Sequence, residues 1–163
     1  MVMLLKWCGS LTLLILTLYL CYEASAMERR RVRQTEGFLL LLRHIKAQIS
    51  CFCTPVRDIF LSFENDSLER SGFLSEAKKG DFVSALNSCR DKIYLDGEEI
   101  NLLLAFGEEL GKSYRDEEIE NCDYYIGELE ALYSKRREEQ PSKSRLYRSL
   151  VLSCGLMVII VFL

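Results

Sequence analysis

Three stretches of this chain carry residue types that could do chemistry. Gly111-Lys112-Ser113 has the ending of a phosphate-binding loop. Such a loop reads G-x-x-x-x-G-K-[ST], so its first glycine would stand at position 106. Phe106 is there instead, and Gly107 leaves the loop one residue short. Glu108 and Glu109 would also repel a phosphate, and the segment follows a helical pattern rather than a strand. Gly111 is therefore read as a helix stop.

Cys51 and Cys53 form C-x-C, with His44 upstream on the same helical face. Zinc usually takes four ligands from C-x-x-C or comparable pairs, so Cys89 or Cys122 would have to join from elsewhere. Of the 7 cysteines, Cys8, Cys21 and Cys154 lie in apolar runs. In a cytoplasmic domain the rest stay reduced, as small buried apolar residues. A zinc enzyme built on Cys51, Cys53 and His44 is the enzymatic alternative, which metal analysis decides. His44 is the single histidine, and no G-x-S-x-G accompanies it. The acidic cluster Asp116, Glu117, Glu118, Glu120 and Asp123 opens a helix, where the macrodipole favours carboxylates. No catalytic residue, metal ligand, cofactor site or small-molecule substrate is assigned.

The elements that would position these residues are helical. Phe38, Leu41, Leu42, Ile45 and Ile49 mark one face of a helix over roughly 30–51. Thr54-Pro55 reads as a cap with proline at the first helical position. A short helix with Val56, Ile59, Phe60 and Phe63 follows, then a turn at Asn65-Asp66. Gly72 and Gly80 end two further short helices, and Asp81 caps another that carries Phe82, Ala85, Leu86 and Cys89. Asp96-Gly97-Glu98-Glu99 has the form of a capping box, as does Ser113 to Asp116. The latter opens the longest helix, predicted to end at Pro141. In it Ile119, Cys122, Ile126, Leu129 and Tyr133 form a short heptad seam for packing inside a bundle. The fold class is all-α: an antiparallel bundle of about six helices, its long first and last members leading toward apolar segments.

Those segments set the organisation. The chain has 163 residues, 49% apolar and 28% charged, with a net charge of −3. That composition excludes a disordered chain, and no strongly basic surface suggests nucleic acid. The apolar residues concentrate at the ends. Trp7 to Tyr22 is uncharged, and Leu150 to Leu163 is too; extended back to Leu146, the second run includes only Arg148, which can snorkel. About 20 apolar residues cross a hydrocarbon core as a helix. Arg29, Arg30, Arg31 and Arg33 follow the first run, and Lys135, Arg136, Arg137, Lys143, Arg145 and Arg148 flank the second. Basic flanks stay in the cytoplasm. The predicted organisation is a transmembrane helix with a short external end over 1–26, a cytoplasmic bundle over 27–145 and a second transmembrane helix over 146–163. Ala24-Ser25-Ala26 also resembles a signal cleavage site, which would give a secreted form beginning at Met27.

Residues 34–134 hold 20 acidic and 10 basic side chains. The basic roots would press on anionic lipid while the acidic body faces a partner away from the bilayer. Candidate partner-binding residues are Glu108, Glu109, Glu117 and Glu118; the membrane-proximal basic set is Arg29, Arg30, Arg31, Arg33, Arg145 and Arg148.

Several stretches, in order and spacing, resemble the stage III sporulation protein AB family of spore-forming bacteria. They are Arg33-Gln34, then Leu41 through Ile49 running into Thr54-Pro55-Val56, then Gly72-Phe73, then Phe106 through Ser113, and last Leu146 through Leu150 opening the apolar tail. Tyr114-Arg115 stands before Asp116 where the family tends to have Asp directly, and no glycine follows Ser149-Leu150. The resemblance implies a mother-cell membrane protein facing the forespore, in the channel complex between the two. It implies a soluble part similar to the cytoplasmic helical domain of type II secretion inner-membrane platform proteins, with a cytoplasmic ATPase and other channel membrane proteins as partners. The family brings no known catalytic residues. A general membrane-anchored helical adaptor, unrelated to spores, is the alternative function.

Overall fold

The computed structural model describes the backbone of residues 2–52 and 56–162, and the side chains of 15, 19, 22–23, 26–51 and 58–138. Among the described residues the chain is helical, with no strand. The elements are α1 (Val2–Phe52), α2 (Val56–Ser62), α3 (Asp66–Ser71), α4 (Phe73–Ala77), α5 (Phe82–Ser88), a 3-10 turn at Arg90–Lys92, α6 (Gly97–Glu109) and α7 (Arg115–Phe162). They divide into two compact units, one of Met1–Arg29 with Arg136–Leu163, the other Arg30–Lys135.

Two helices are longer than the sequence pattern predicts. The first begins at Val2 rather than near 30, because residues 23–33 contain neither glycine nor proline to break it. The last does not end at Pro141 but continues to Phe162. A proline removes one N–H from the ladder, and a helix of 48 residues carries that single loss. Among the described residues no helix is long and apolar enough to cross a membrane. The side chains of both apolar runs predicted to do so, and of Arg145 and Arg148, lie almost wholly outside the described residues, as do Thr54 and Pro55.

Local signals set the short helices. Asn65 is more than a turn residue: its Oδ1 accepts from the N–H groups of Ser67 (3.0 Å) and Leu68 (3.2 Å), starting α3. Gly72, at φ 82°, ends α3 in the left-handed region and leads straight into α4. Asp81 caps α5 through the Ser84 N–H. A hydrogen bond from the Ser84 side chain, with the backbone N–H adding to it, holds the Asp81 carboxyl below the usual range. The capping box predicted at Asp96–Glu99 forms, with Glu99 Oε2 accepting from the Asp96 N–H at 2.9 Å.

The core lies within the unit Arg30–Lys135. Phe38, Leu41, Leu42, Ile45 and Ile49 are buried, as their spacing predicts. Five aromatic rings link the helices edge to face: Phe38 (α1), Phe73 (α4), Phe82 (α5), Phe106 (α6) and Tyr125 (α7), at centroid separations of 5.0, 5.2, 5.5 and 5.5 Å in turn. Cys122 and Leu129 of the predicted seam are fully buried. Gly107 lets α6 approach α5, since a Cβ there would meet Phe82 Cδ1 at 2.5 Å.

Candidate functional site

Helix direction decides which charges share an end of this unit. Arg43 pairs with Glu130 at 2.5 Å, Lys46 with Asp123 at 2.5 Å, and Arg115 Nη2 donates to the Ser50 carbonyl. As the number rises on α1 it falls on α7, so the two run antiparallel. Arg30 and Lys135 therefore mark one end, and Ser50 and Arg115 the other. The first is the end where the chain passes to residues 29 and 136.

At that proximal end a strap, 92–96, is tied to α1. Gln34 Nε2 donates to the Lys92 carbonyl at 3.0 Å, and its Oε1 accepts from the Tyr94 N–H at 2.6 Å. Arg31 Nε donates to the Tyr94 carbonyl, and Arg31 Nη2 pairs with Asp96 at 2.9 Å. The Arg30 guanidinium lies 5.9 Å from the centre of the Tyr94 ring. Beneath the strap, Thr35 donates to Glu99 Oε1 at 2.8 Å, both residues buried. Of the basic residues predicted to face lipid, Arg31 is thus committed to the fold, whereas Arg29, Arg30 and Arg33 are exposed.

α6 runs from this strap toward the distal end. Glu109 Oε2 accepts from the Tyr125 hydroxyl at 3.1 Å. Burial pushes the Tyr125 phenol up to about 12, with the Glu109 hydrogen bond adding to it. Gly111 follows at φ 80°, ending α6 as the sequence predicts. The second capping box does not form. The helix starts at Arg115, and the carboxylate that closes the loop is Glu118, accepting from Gly111 N–H at 2.8 Å and Ser113 N–H at 3.3 Å.

The four predicted partner-binding carboxylates therefore separate. Glu108, Glu109 and Glu117 are exposed, Glu109 while holding Tyr125. Glu118 is 4% exposed and belongs to the loop, which corrects its place on an outward face. Asp116 and Glu120 are exposed beside them; Asp123 is engaged with Lys46. Lys112 and Arg115 are exposed basic residues at this end, beside the Lys46 that holds Asp123. Charge is thus graded along the unit, with arginines where α1 enters and carboxylates where α6 turns into α7.

The candidate zinc residues do not gather among the described residues. His44 Nε2 lies 3.1 Å from Ser62 Oγ, and its ring stands 5.2 Å from that of Phe63. Cys51 is exposed, Cys89 and Cys122 are buried, and Cys53 lies outside the described residues. Burial raises both buried thiols, that of Cys122 to about 12. Among the described residues no three His, Cys, Asp or Glu side chains could hold a metal ion.

A family model for stage III sporulation protein AB matches residues 6–163. The chain belongs to the stage III sporulation protein AB family. That is a family of sporulation components and not one of known enzymes. A solved structure of stage III sporulation protein AB has the same fold, at 23% identity and a TM-score of 0.56, covering 69% of this chain and 98% of that one. No match came from among the curated proteins. Sequence reasoning missed Gln34, Thr35 and Glu99 as the polar residues that fasten the strap of this family member. A polar Gln34-Thr35 pair directly before the apolar face of α1 was the available signal.

Proposed function

We propose that this member of the stage III sporulation protein AB family is a non-enzymatic membrane platform of the channel between mother cell and forespore. Its helical body stands in the cytoplasm on two membrane helices, and its acidic distal end docks a cytoplasmic ATPase. The observation that carries this reading is the charge gradient along the body. Glu108, Glu109, Asp116, Glu117 and Glu120 are exposed at the end away from Arg30 and Lys135. Such a gradient steers a basic partner to the distal end and disfavours approach of that end to anionic lipid. The antiparallel α1 and α7 support it, because both of their continuations leave the body at one end.

The test is capture of the cognate ATPase by the full chain in lipid nanodiscs. Reversal of Glu108 and Glu117 to lysine, with Glu120→Lys, should weaken capture by about tenfold or more and make the residue salt-insensitive. Glu118 is left intact because its loss would disturb the loop. Unchanged capture by the triple variant would remove the acidic end from the interface.

A further inference from the structure

The strap brings to the proximal end two basic residues that lie far from it in sequence. The hydrogen bond between Gln34 and the Lys92 carbonyl spans 58 positions. It seats the 3-10 turn Arg90–Lys92 beside the root of α1. Arg90 and Lys92 are both exposed, as are Arg30 and Arg33. The acidic residues on the same segments are Asp91, Glu36 and Glu98, all exposed, half-buried Glu28, Asp96, which Arg31 engages, and buried Glu99, which Thr35 engages. Lys135 adds a further cation at the foot of α7.

We infer that Arg90 and Lys92, with Arg30 and Arg33, form a contact surface for the headgroups of an anionic phospholipid bilayer. This rests on the membrane attachment proposed above and adds to it a third point of contact, from the middle of the chain. Both α1 and α7 leave the body at this end, so it is the end that the proposed attachment turns toward the bilayer. Each Lys or Arg near an anionic leaflet is drawn to it over about a Debye length. Tyr94, under Arg30, supplies an amphipathic ring of the kind common at membrane interfaces.

The experiment uses the full chain in nanodiscs of phosphatidylcholine alone, or of phosphatidylcholine and phosphatidylglycerol in equal parts. Lysines are acylated with a water-soluble N-hydroxysuccinimide ester and counted by peptide mass spectrometry, with Lys112 at the distal end as reference. Phosphatidylglycerol should slow modification of Lys92 relative to Lys112 by about fivefold, and high salt should abolish the difference. An unchanged ratio in the two lipids would overturn the contact while leaving the attachment in place. Protection of Lys92 by inorganic phosphate in phosphatidylcholine discs would replace the bilayer with a free anion and overturn it too. A chain that enters discs of neither composition would contradict the attachment, and this inference with it.

Discussion

Glu118 Oε1 lies 2.8 Å from the Gly111 backbone nitrogen, and that bond closes the distal end of the bundle. The second oxygen of the same carboxylate accepts from Ser113, so one buried side chain holds the whole turn between α6 and α7. Glu118→Ala removes a charged acceptor worth about 1.5–3 kcal/mol and should lower the melting temperature by about 4–10 °C. Hydrogen exchange should quicken at Gly111 and Ser113 in particular. A variant with native exchange at both amides would contradict this role.

Two glycines should respond oppositely to an added methyl. At Gly107 the new Cβ would meet Phe82 and Val83 at 2.5 and 2.9 Å, inside the ring stack. Gly107→Ala should destabilise by about 1–3 kcal/mol, since an overfilled core forces its neighbours aside. At Gly97, the first residue of α6, a Cβ meets nothing within 4 Å. Gly97→Ala should be stabilising by about 0.4–1 kcal/mol through the unfolded chain. Urea midpoints of the two variants check both signs.

The thiols should divide by burial. Cys51 is exposed and should react with iodoacetamide in the native protein. Cys89 and Cys122 should not, because both are buried and burial holds their thiols protonated. Peptide mass spectrometry before and after denaturation reads this directly. Labelling of native Cys122 at the rate of Cys51 would refute the α7 seam.

Stability should fall at alkaline pH through Tyr125. Its folded phenol is pushed up to about 12 from an ordinary value of 10.0. A folded pKa raised above the unfolded one gives stabilisation that is complete below the lower value and fades as pH climbs through the upper. Cys122, raised to about 12 from 9.0, acts in the same direction. Tyr125→Phe keeps the ring and removes the ionisation. The stability gap between wild type and this variant should narrow between about pH 10 and pH 12, measured by urea midpoints.

The contrast between α1 and the strap shows how far periodicity carries. Phe38, Leu41, Leu42, Ile45 and Ile49 could be placed on the buried face because a helix imposes its spacing on adjacent residues. Gly72, Gly111, Asp81 and Asp96 could be read for similar reasons, as caps act within one turn. Arg90 and Lys92 could not be placed at the root, because the Gln34 amide that brings them there is remote in sequence. Glu118 was misplaced for a subtler reason. Four carboxylates open α7, and only the path of the loop from Gly111 decides which one turns inward. Pro141 was overread, since its missing N–H is one bond in a very long helix. The acidic bias of the body was visible from counts alone; its gradient needed the antiparallel register of α1 and α7.

Protease accessibility of residues 34–134 in sealed membranes tests the central claim most directly. The account predicts digestion in inside-out vesicles, protection in intact cells and retention of the full chain through an alkaline carbonate wash. Digestion from outside intact cells, or release by carbonate, would contradict it.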